Sequence, residues 1–165
     1  DRKGQGLVLS LDVRTNLVLA NMKGFSNGPF LDKAHIEKAG ESNVEALKIK
    51  TPSLSEVTGQ LSGGNQQKVV IGKWVNTDAD IFIFDEPTRG IDVGARREIY
   101  EIINNLVENG KTVVVISSDM EEIMGVSDRN LVMYEGTIAG EIQKKDFTQD
   151  LITKYAVGEK RSVQA

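Results

Sequence analysis

The sequence has no cysteine and only one histidine, and these absences remove several classes of site. Without cysteine, a disulfide framework, a thiolate nucleophile and any cysteine-ligated zinc or iron–sulfur centre are excluded. We therefore expect a chain from a reducing compartment. With His35 as the sole histidine, a metal site of several histidines is excluded, and so is a catalytic triad without His35. We expect His35 to lie on the surface.

Basic blocks and long apolar runs are also missing. Lys and Arg total 20 against 24 Asp and Glu, so the net charge is −4, which disfavours binding to nucleic-acid phosphates. The longest apolar runs, such as Val113 to Ile116, fall far short of the ~20 residues that a membrane span needs. No signal peptide is recognisable at the start. The 165 residues, 39% of them hydrophobic, suit one domain with a packed core.

The second half alternates helical and strand patterns, which predicts an α/β fold with a parallel sheet. The apolar runs 81–84 and 112–116 predict strands that are buried on both faces. We further predict helices over 64–75, 98–107, 120–124 and 148–156, and strands over 130–134 and 137–142. Gly110 is predicted to end a helix. The pattern over 6–19 stays unresolved, 24–29 is predicted to be a loop, and Asp32 is predicted to cap a helix that reaches about Lys48.

Two acids follow the first apolar run directly. Asp85 and Glu86 stand where an open α/β sheet carries its working groups, beyond the carboxyl end of a strand. Phosphate-cleaving sites place an Asp there for Mg²⁺, and a neighbouring acid can orient an attacking water. The alternative is a solvated acidic turn, and these two residues alone do not decide between them.

The run Leu61-Ser62-Gly63-Gly64 opens a predicted helix that continues through Gln66. Ser62 can cap this helix, and the glycines allow backbone N–H groups to approach an anion at its positive end. For these residues alone, an ordinary capped helix is the better interpretation. Their ordered combination with Asp85 and Glu86 favours a phosphate site.

This combination resembles the ATP-binding cassette (ABC) ATPases. Leu61 to Gly64 with Gln66 match the family's signature motif, Ile81 to Glu86 its Walker B strand and following Glu, and Asp92 its D-loop aspartate. The likeness is strongest from Gln60 to Gly140 and implies a P-loop NTPase fold, with a parallel sheet core and a helical subdomain. Leu61–Val75 and Asp85–Ala95 are similar to the second cassette of tandem bacterial importers for ribose, galactose and xylose.

The resemblance also implies roles, cofactors and partners. Asp85 would hold Mg²⁺, Glu86 would be the general base, and Asp92 would lie between cassettes. The signature residues Ser62, Gly63 and Gly64 would contact the γ-phosphate of ATP bound by the opposite cassette. Implied partners are another cassette, transmembrane permease subunits and, indirectly, a sugar-binding protein, with no nucleic acid. The implied location is cytoplasmic, on the inner face of the cell membrane.

The resemblance divides the chain into three parts. Residues 1–60 would be a lead-in and helical-subdomain segment, 61–145 the C-terminal part of the ATPase core, and 146–165 a C-terminal helix and tail. Asp1 with the residues after it resembles the stretch that follows the family's Q-loop.

Two departures from the family pattern bear on activity. The sequence has no P-loop, since Asn105 stands where the first glycine would precede Gly110-Lys111-Thr112. With no initial Met, this leads us to expect a truncated cassette that lacks the N-terminal P-loop portion, is inactive alone and leaves part of its sheet uncovered. Ser118 replaces the family's switch histidine and is a neutral donor. Two functions therefore stay open: ATP hydrolysis in the intact protein, or a non-hydrolytic half that lends its signature to a partner.

The charged face of the helix predicted over 98–107, with the two arginines before it, is expected to have no role in the site. Arg96, Arg97, Glu98 and Glu101 are predicted to form a solvated face with weak pairing between residues four apart.

Overall fold

The computed structural model describes residues 2–159. Asp1 and residues 160–165 of the predicted tail lie outside the described residues. The chain forms two compact units, one of residues 2–82 and 87–114 and the other of residues 83–86 and 115–159.

The helices and strands follow the order expected of an α/β chain. The helices are α1 (Val13–Val18), α2 (Lys33–Ala46), α3 (Gly63–Val75), α4 (Val93–Glu108), α5 (Met120–Val126) and α6 (Gln149–Ala156). The strands are β1 (Ser26–Asn27), β2 (Phe30–Leu31), β3 (Ile81–Asp85), β4 (Thr112–Ile116), β5 (Arg129–Tyr134) and β6 (Thr137–Gln143). The helices predicted in the second half are confirmed, and α4 begins five residues earlier than expected, at Val93.

The first unit is built around α3, which packs against α1 and α4. Its core is formed by fully buried aliphatic side chains from all three helices: Val13, Leu17, Val69, Ile71, Ile99 and Ile103. On α4 the buried positions 99, 102 and 103 recur with the helical period, so one stripe of this helix faces the core. The helix ends as predicted, with Gly110 in the left-handed region at φ +81°.

The segment before α2 differs in part from its prediction. Asp32 caps α2 as expected, because its carboxylate accepts from the His35 N–H at 3.0 Å. His35 is exposed, as predicted. The expected loop over 24–29 instead contains half of a short hairpin, in which Ser26 pairs with Leu31 across a Gly28-Pro29 turn. Polar and turn-forming residues concealed this two-residue strand.

Strands β3 and β4 are confirmed, but their predicted burial on both faces is wrong. The strands are parallel, because their starts pair with each other and so do their ends. The Thr112 N–H donates to the Asp80 carbonyl at the start, and the Glu86 N–H donates to the Ile116 carbonyl at the end. Alternate side chains are open: Ile83 is 67% exposed and Ile116 is 52% exposed. An all-apolar sequence indicates that the side chains on both faces of a strand favour burial. Within the described residues, other elements cover only one face of β3 and β4. The expectation of a partly uncovered sheet is thereby confirmed.

The second unit has its own small core. The β5–β6 hairpin is antiparallel and turns at Glu135 and Gly136, as predicted. One face of the hairpin packs against α6, with Val132, Ala139, Ile142, Ile152 and Tyr155 buried together. In the described part of the chain, no helix is both long enough and apolar enough to cross a membrane.

We predict that Gly72→Ala destabilises the first unit by about 1–3 kcal/mol. A Cβ at Gly72 would lie 2.7 Å from a Leu17 methyl and 2.9 Å from both the Asn43 side-chain oxygen and a Leu47 methyl, so these three side chains would have to move within a packed core. Urea unfolding followed by Trp74 fluorescence measures the change.

Gly94→Ala is the matched control, because a Cβ there meets only an Asp92 oxygen at 3.4 Å. The control should change the free energy of unfolding by less than about 1 kcal/mol, in the stabilising direction. Equal effects of the two variants would contradict the close packing at Gly72.

Candidate functional site

The residues singled out from the sequence fall into two clusters, one in each unit. The signature cluster comprises residues 62–66 and 92–98 and belongs to the first unit. The strand-end cluster comprises Asp85, Glu86 and Ser118 and belongs to the second unit.

Ser62 occupies the N-cap position of α3, but its side chain does not cap the helix. Its hydroxyl instead accepts a hydrogen bond of 2.9 Å from the Asn65 side-chain amide. The Asn65 side-chain oxygen in turn accepts from the Lys50 N–H at 2.8 Å. The predicted side-chain cap is therefore wrong, because Asn65 competes for the hydroxyl. The first-turn N–H groups of α3 keep their capacity to bind an anion.

The Gln66 side chain stabilises the turn that precedes the signature helix through hydrogen bonds. It is buried, and its amide nitrogen donates to the carbonyls of Thr58 at 3.2 Å and Leu61 at 3.1 Å. The Thr58 hydroxyl accepts from the buried Asn16 side chain at 3.0 Å. These bonds fix the turn that leads into α3, so Gln66 shapes the signature loop from inside the fold.

The start of α4 meets the start of α3. Asp92 caps α4 through a bond of 3.0 Å from the Ala95 N–H to its carboxylate. A Cβ on Gly64 would lie 2.5 Å from the Ala95 Cβ, so glycine is required for this close approach. Both helix N-termini border one pocket of about 200 Å³, lined by Lys50, Ser62, Gly64, Asn65, Asp92, Gly94, Ala95 and Glu98. The convergence of two helix N-termini favours a negatively charged ligand.

An ion pair between a buried lysine and a partly exposed glutamate joins the same two helices one turn further along, with the Glu98 side chain 29% exposed. The Lys68 side chain is fully buried, and its ammonium lies 2.7 Å from a Glu98 carboxylate oxygen. It also donates to the Lys48 carbonyl at 2.6 Å. The hydrogen bond from Lys68 holds the pKa of Glu98 below its ordinary value.

The prediction of a solvated face with weak pairing is wrong in part at Glu98, which is 29% exposed but pairs with the fully buried Lys68. It is confirmed for Arg97 and Glu101, whose charged groups lie 3.8 Å apart on the surface. Sequence reasoning missed Lys68 altogether. Its signal was a lysine on the face of α3 that also carries Gly64 and the buried Ile71.

The strand-end cluster holds Glu86 in an unusual backbone conformation. Asp85 is the last residue of β3 and is exposed, and Glu86 follows it with φ +48°. Left-handed backbone in a residue other than glycine carries strain, and such strain concentrates at functional sites. The Glu86 carboxylate accepts two bonds on one oxygen, from the Ser118 N–H at 3.0 Å and the Ser118 hydroxyl at 2.8 Å. The structure thus brings the predicted base and the predicted switch residue together.

Asp85 has the right chemistry for a magnesium ligand. Mg²⁺ commonly keeps several waters and uses one or two carboxylates together with substrate phosphates. Over residues 2–159, no group of three or more His, Asp or Glu side chains gathers in a metal-holding arrangement. The exposed Asp85 carboxylate therefore fits a site in which the nucleotide supplies other ligands.

Comparison with known proteins places these motifs in a family. Residues 5–89 match the family model described as ABC transporter. The chain is 47% identical over 158 residues to the ribose import ATP-binding protein RbsA of Clostridium tetani, covering 95% of this chain and 31% of that protein. It is 48% identical to the protein of the same name from Oceanobacillus iheyensis, covering 96% of this chain and 32% of that one.

The fold has a counterpart among solved structures. A dimeric ATP-binding cassette in a post-hydrolysis state, bound to ADP and Pi, aligns with a TM-score of 0.70 at 22% identity, over 86% of this chain and 60% of that one. The α/β cassette fold expected from the motifs is confirmed. The chain spans about a third of the length of the ribose import proteins that it matches.

We predict that Glu98→Gln lowers stability at pH 7 by roughly 3 kcal/mol, since it leaves a buried lysine without its counter-charge. Because the folded pKa of Glu98 lies below the ordinary 4.5, its contribution is complete above that value and is lost as pH falls through the folded pKa. The difference in free energy of unfolding between wild type and variant should therefore become smaller in acid. Urea unfolding at pH 7 and at pH 3 to 4 tests this.

Glu101→Gln is the control. Glu101 pairs with Lys48 at 3.1 Å on the surface, so its loss should cost less than about 1 kcal/mol. If the free energies of unfolding of Glu98→Gln and wild type differed by the same amount at both pH values, the role of the ion pair would be refuted.

Proposed function

The chain belongs to the ABC transporter family, and on that premise we propose that it forms part of the ATP-hydrolysing, energy-coupling subunit of a bacterial monosaccharide importer. The observation that carries this proposal is the convergence of the α3 and α4 N-termini, with Ser62 and Asp92, on one pocket. Support for a sugar as cargo comes from the ribose import proteins at 47% and 48% identity.

In this proposal the signature cluster acts on ATP held by a second cassette. Ser62, Gly63 and Gly64 present a hydroxyl and backbone N–H groups at the positive end of α3, where the γ-phosphate of that ATP would lie. Leu61 and Gln66 keep the preceding turn in place. Asp92, which caps α4 and lines the same pocket, would lie at the interface between cassettes.

The strand-end cluster would serve ATP bound to this chain's own cassette. Glu86 orients the water that attacks the γ-phosphate and accepts its proton. Two donors from Ser118 fix one carboxylate oxygen, so the plane of the carboxylate is set and the other oxygen is available to the water. Most of the rate enhancement in such a site comes from positioning and charge stabilisation.

Mg²⁺, when bound with ATP, neutralises charge on the phosphates, and Asp85 would hold it directly or through a water. The sequence has no phosphate-binding P-loop motif, so we expect the 165-residue chain to be inactive by itself. Activity would require a P-loop and a partner cassette in the assembled protein.

The partners follow from the same proposal. They are a second cassette, in tandem or as a dimer, transmembrane permease subunits that the region from about Asp12 to Gln60 would meet, and indirectly a sugar-binding protein. The assembly would place this chain on the cytoplasmic face of the cell membrane. Closure of the cassettes around MgATP would drive the permease.

A second candidate function is a non-hydrolytic cassette half. Ser118 favours it, because a neutral hydroxyl at the switch position brings no positive charge toward the γ-phosphate. In that case the signature cluster still serves the partner's ATP, while Glu86 performs no chemistry.

The two candidates differ in the effect of Glu86→Gln on the complete transporter. For a hydrolytic site we expect the single-site turnover at this cassette to fall at least a hundredfold, because the base is lost, while ATP binding persists. The measurement is ATP hydrolysis by a transporter in which the catalytic glutamate of the other cassette is replaced, so that only the site at this cassette can turn over.

Glu121→Gln on α5 is the matched control, since it is exposed and outside both clusters. Wild-type turnover in the Glu86→Gln variant would remove the hydrolytic role and leave the non-hydrolytic one. Loss of turnover in the control as well would show a general defect of the second unit.

We predict that Ser118→Ala lowers kcat about tenfold and changes the KM for ATP less than twofold. The variant removes one of two donors to Glu86 and keeps the backbone N–H, so the carboxylate is held more loosely but stays in place. Ser127→Ala, at the end of α5, is the control. If Glu86→Gln is inactive but Ser118→Ala is as fast as wild type, Ser118 does not position the base.

A further inference from the structure

We infer that the Lys68–Glu98 ion pair is a positioning device that sets the distance between the two helix N-termini of the signature cluster. The inference deepens the proposed function, on which its effect on activity rests. Lys68 does not line the pocket, whereas Glu98 lines it with a carboxylate that lies 2.7 Å from the Lys68 ammonium and 3.6 Å from the exposed Lys50 ammonium. Each acts through the helix that carries it.

The pair and the glycine contact form one continuous α3–α4 interface. Gly64 meets Ala95 in the first turn of each helix, and Lys68 meets Glu98 in the next turn. The first contact sets a minimum separation, because a single methyl on Gly64 would overlap Ala95. The second contact draws the helices together, since a short ion pair whose ammonium is shielded from water resists separation. The two together leave little freedom in the spacing of Ser62 and Asp92.

The Lys68 ammonium also holds a third segment. The Lys48 carbonyl, which it contacts at 2.6 Å, lies just beyond α2, where Lys48 adopts a left-handed conformation with φ +51°. A left-handed residue after a helix turns its carbonyl away from the helix axis, toward other partners. One ammonium with three donors thus joins the end of α2, the signature helix and α4.

An ion pair is a poor choice for stability alone. Well-packed apolar side chains of similar volume frequently stabilise a protein as much as or more than a buried pair. A buried pair differs in that its geometry is fixed by direction and distance. Its position within two turns of both caps points to a requirement for alignment at this site.

The first test uses amide hydrogen exchange in the 165-residue chain. The reporters are the Gln66 and Arg96 N–H groups, which are bonded to the Ser62 and Asp92 carbonyls at 2.9 and 3.0 Å. For Glu98→Gln we expect at least tenfold faster exchange at both reporters. The Ile36 and Asn109 amides, which belong to the same unit and are bonded to the Asp32 and Asn105 carbonyls at 3.0 Å, serve as the internal reference and should accelerate at least fivefold less than the reporters.

Glu101→Gln, one turn along α4, is the matched control and should leave both reporters at wild-type rates. Exchange that accelerates equally at the reporters and at the reference amides would show a global loss of stability and overturn the inference. Unchanged reporters in Glu98→Gln would overturn it as well.

A second variant keeps the test decisive if Glu98→Gln unfolds the first unit. The double variant Lys68→Met, Glu98→Leu replaces the pair with apolar side chains and should retain the wild-type unfolding midpoint. We expect the amide chemical shifts of residues 62–66 and 92–96 in this double variant to differ from those of wild type, because the two helix starts are no longer held at the same spacing. Wild-type shifts in this double variant would show that packing alone sets the geometry, and the inference would fail.

The activity arm uses the complete transporter. There Glu98→Gln should lower kcat at least tenfold with the KM for ATP within twofold, because nucleotide binding persists while the signature is misaligned. A rise in KM with unchanged kcat would overturn the inference. Absence of ATPase activity in the wild-type transporter would overturn the proposed function, and the exchange result on the chain would still decide the geometry.

Discussion

A lysine ammonium shielded from water has to be paired, and this constraint organises the first unit. Lys68 is fully buried, and its charge is offset by Glu98 while the Lys48 carbonyl accepts a further donor. These partners lie far apart in the sequence, so the chain satisfies the ammonium only when α2, α3 and α4 are assembled. The same assembly brings the starts of α3 and α4 to one pocket. The stability of the fold and the geometry of the signature cluster therefore depend on the same contacts.

The strand-end cluster rests on a different constraint. Glu86 occupies left-handed backbone, which a side chain with a Cβ enters at a cost of roughly 1–2 kcal/mol. Two hydrogen bonds from Ser118 and the Glu86 N–H bond to the Ile116 carbonyl offset this cost. The chain turns sharply after β3 as a result. This turn aims the carboxylate at Ser118 on the segment after β4, the neighbouring strand.

Local patterns predicted much of the fold, and non-local contacts account for what they missed. The helical period of Ile99, Ile102 and Ile103 predicted α4, and the Glu135-Gly136 turn predicted the β5–β6 hairpin, because these signals depend on neighbours in the chain. The apolar runs of β3 and β4 reveal what their side chains prefer, but not which faces other elements cover. The pattern around Glu98 predicts a solvated face for the same reason, since Lys68 lies 30 residues earlier in the chain and meets Glu98 only after folding. The residue types of the site were recognisable, whereas their hydrogen-bond partners required the folded chain.

Ser118 separates the two functions open to this cassette, because it touches only the second of the two clusters. A hydroxyl and an N–H on one oxygen orient Glu86 as firmly as two donors can, yet they supply no formal charge. The signature cluster depends on none of these contacts, since its geometry is set within the first unit by Gly64, Lys68 and Glu98. Under the proposed function, the signature cluster could therefore serve a partner whether or not Glu86 performs chemistry. A change around Glu86 would then stop hydrolysis at this site and leave the proposed role of the signature cluster intact.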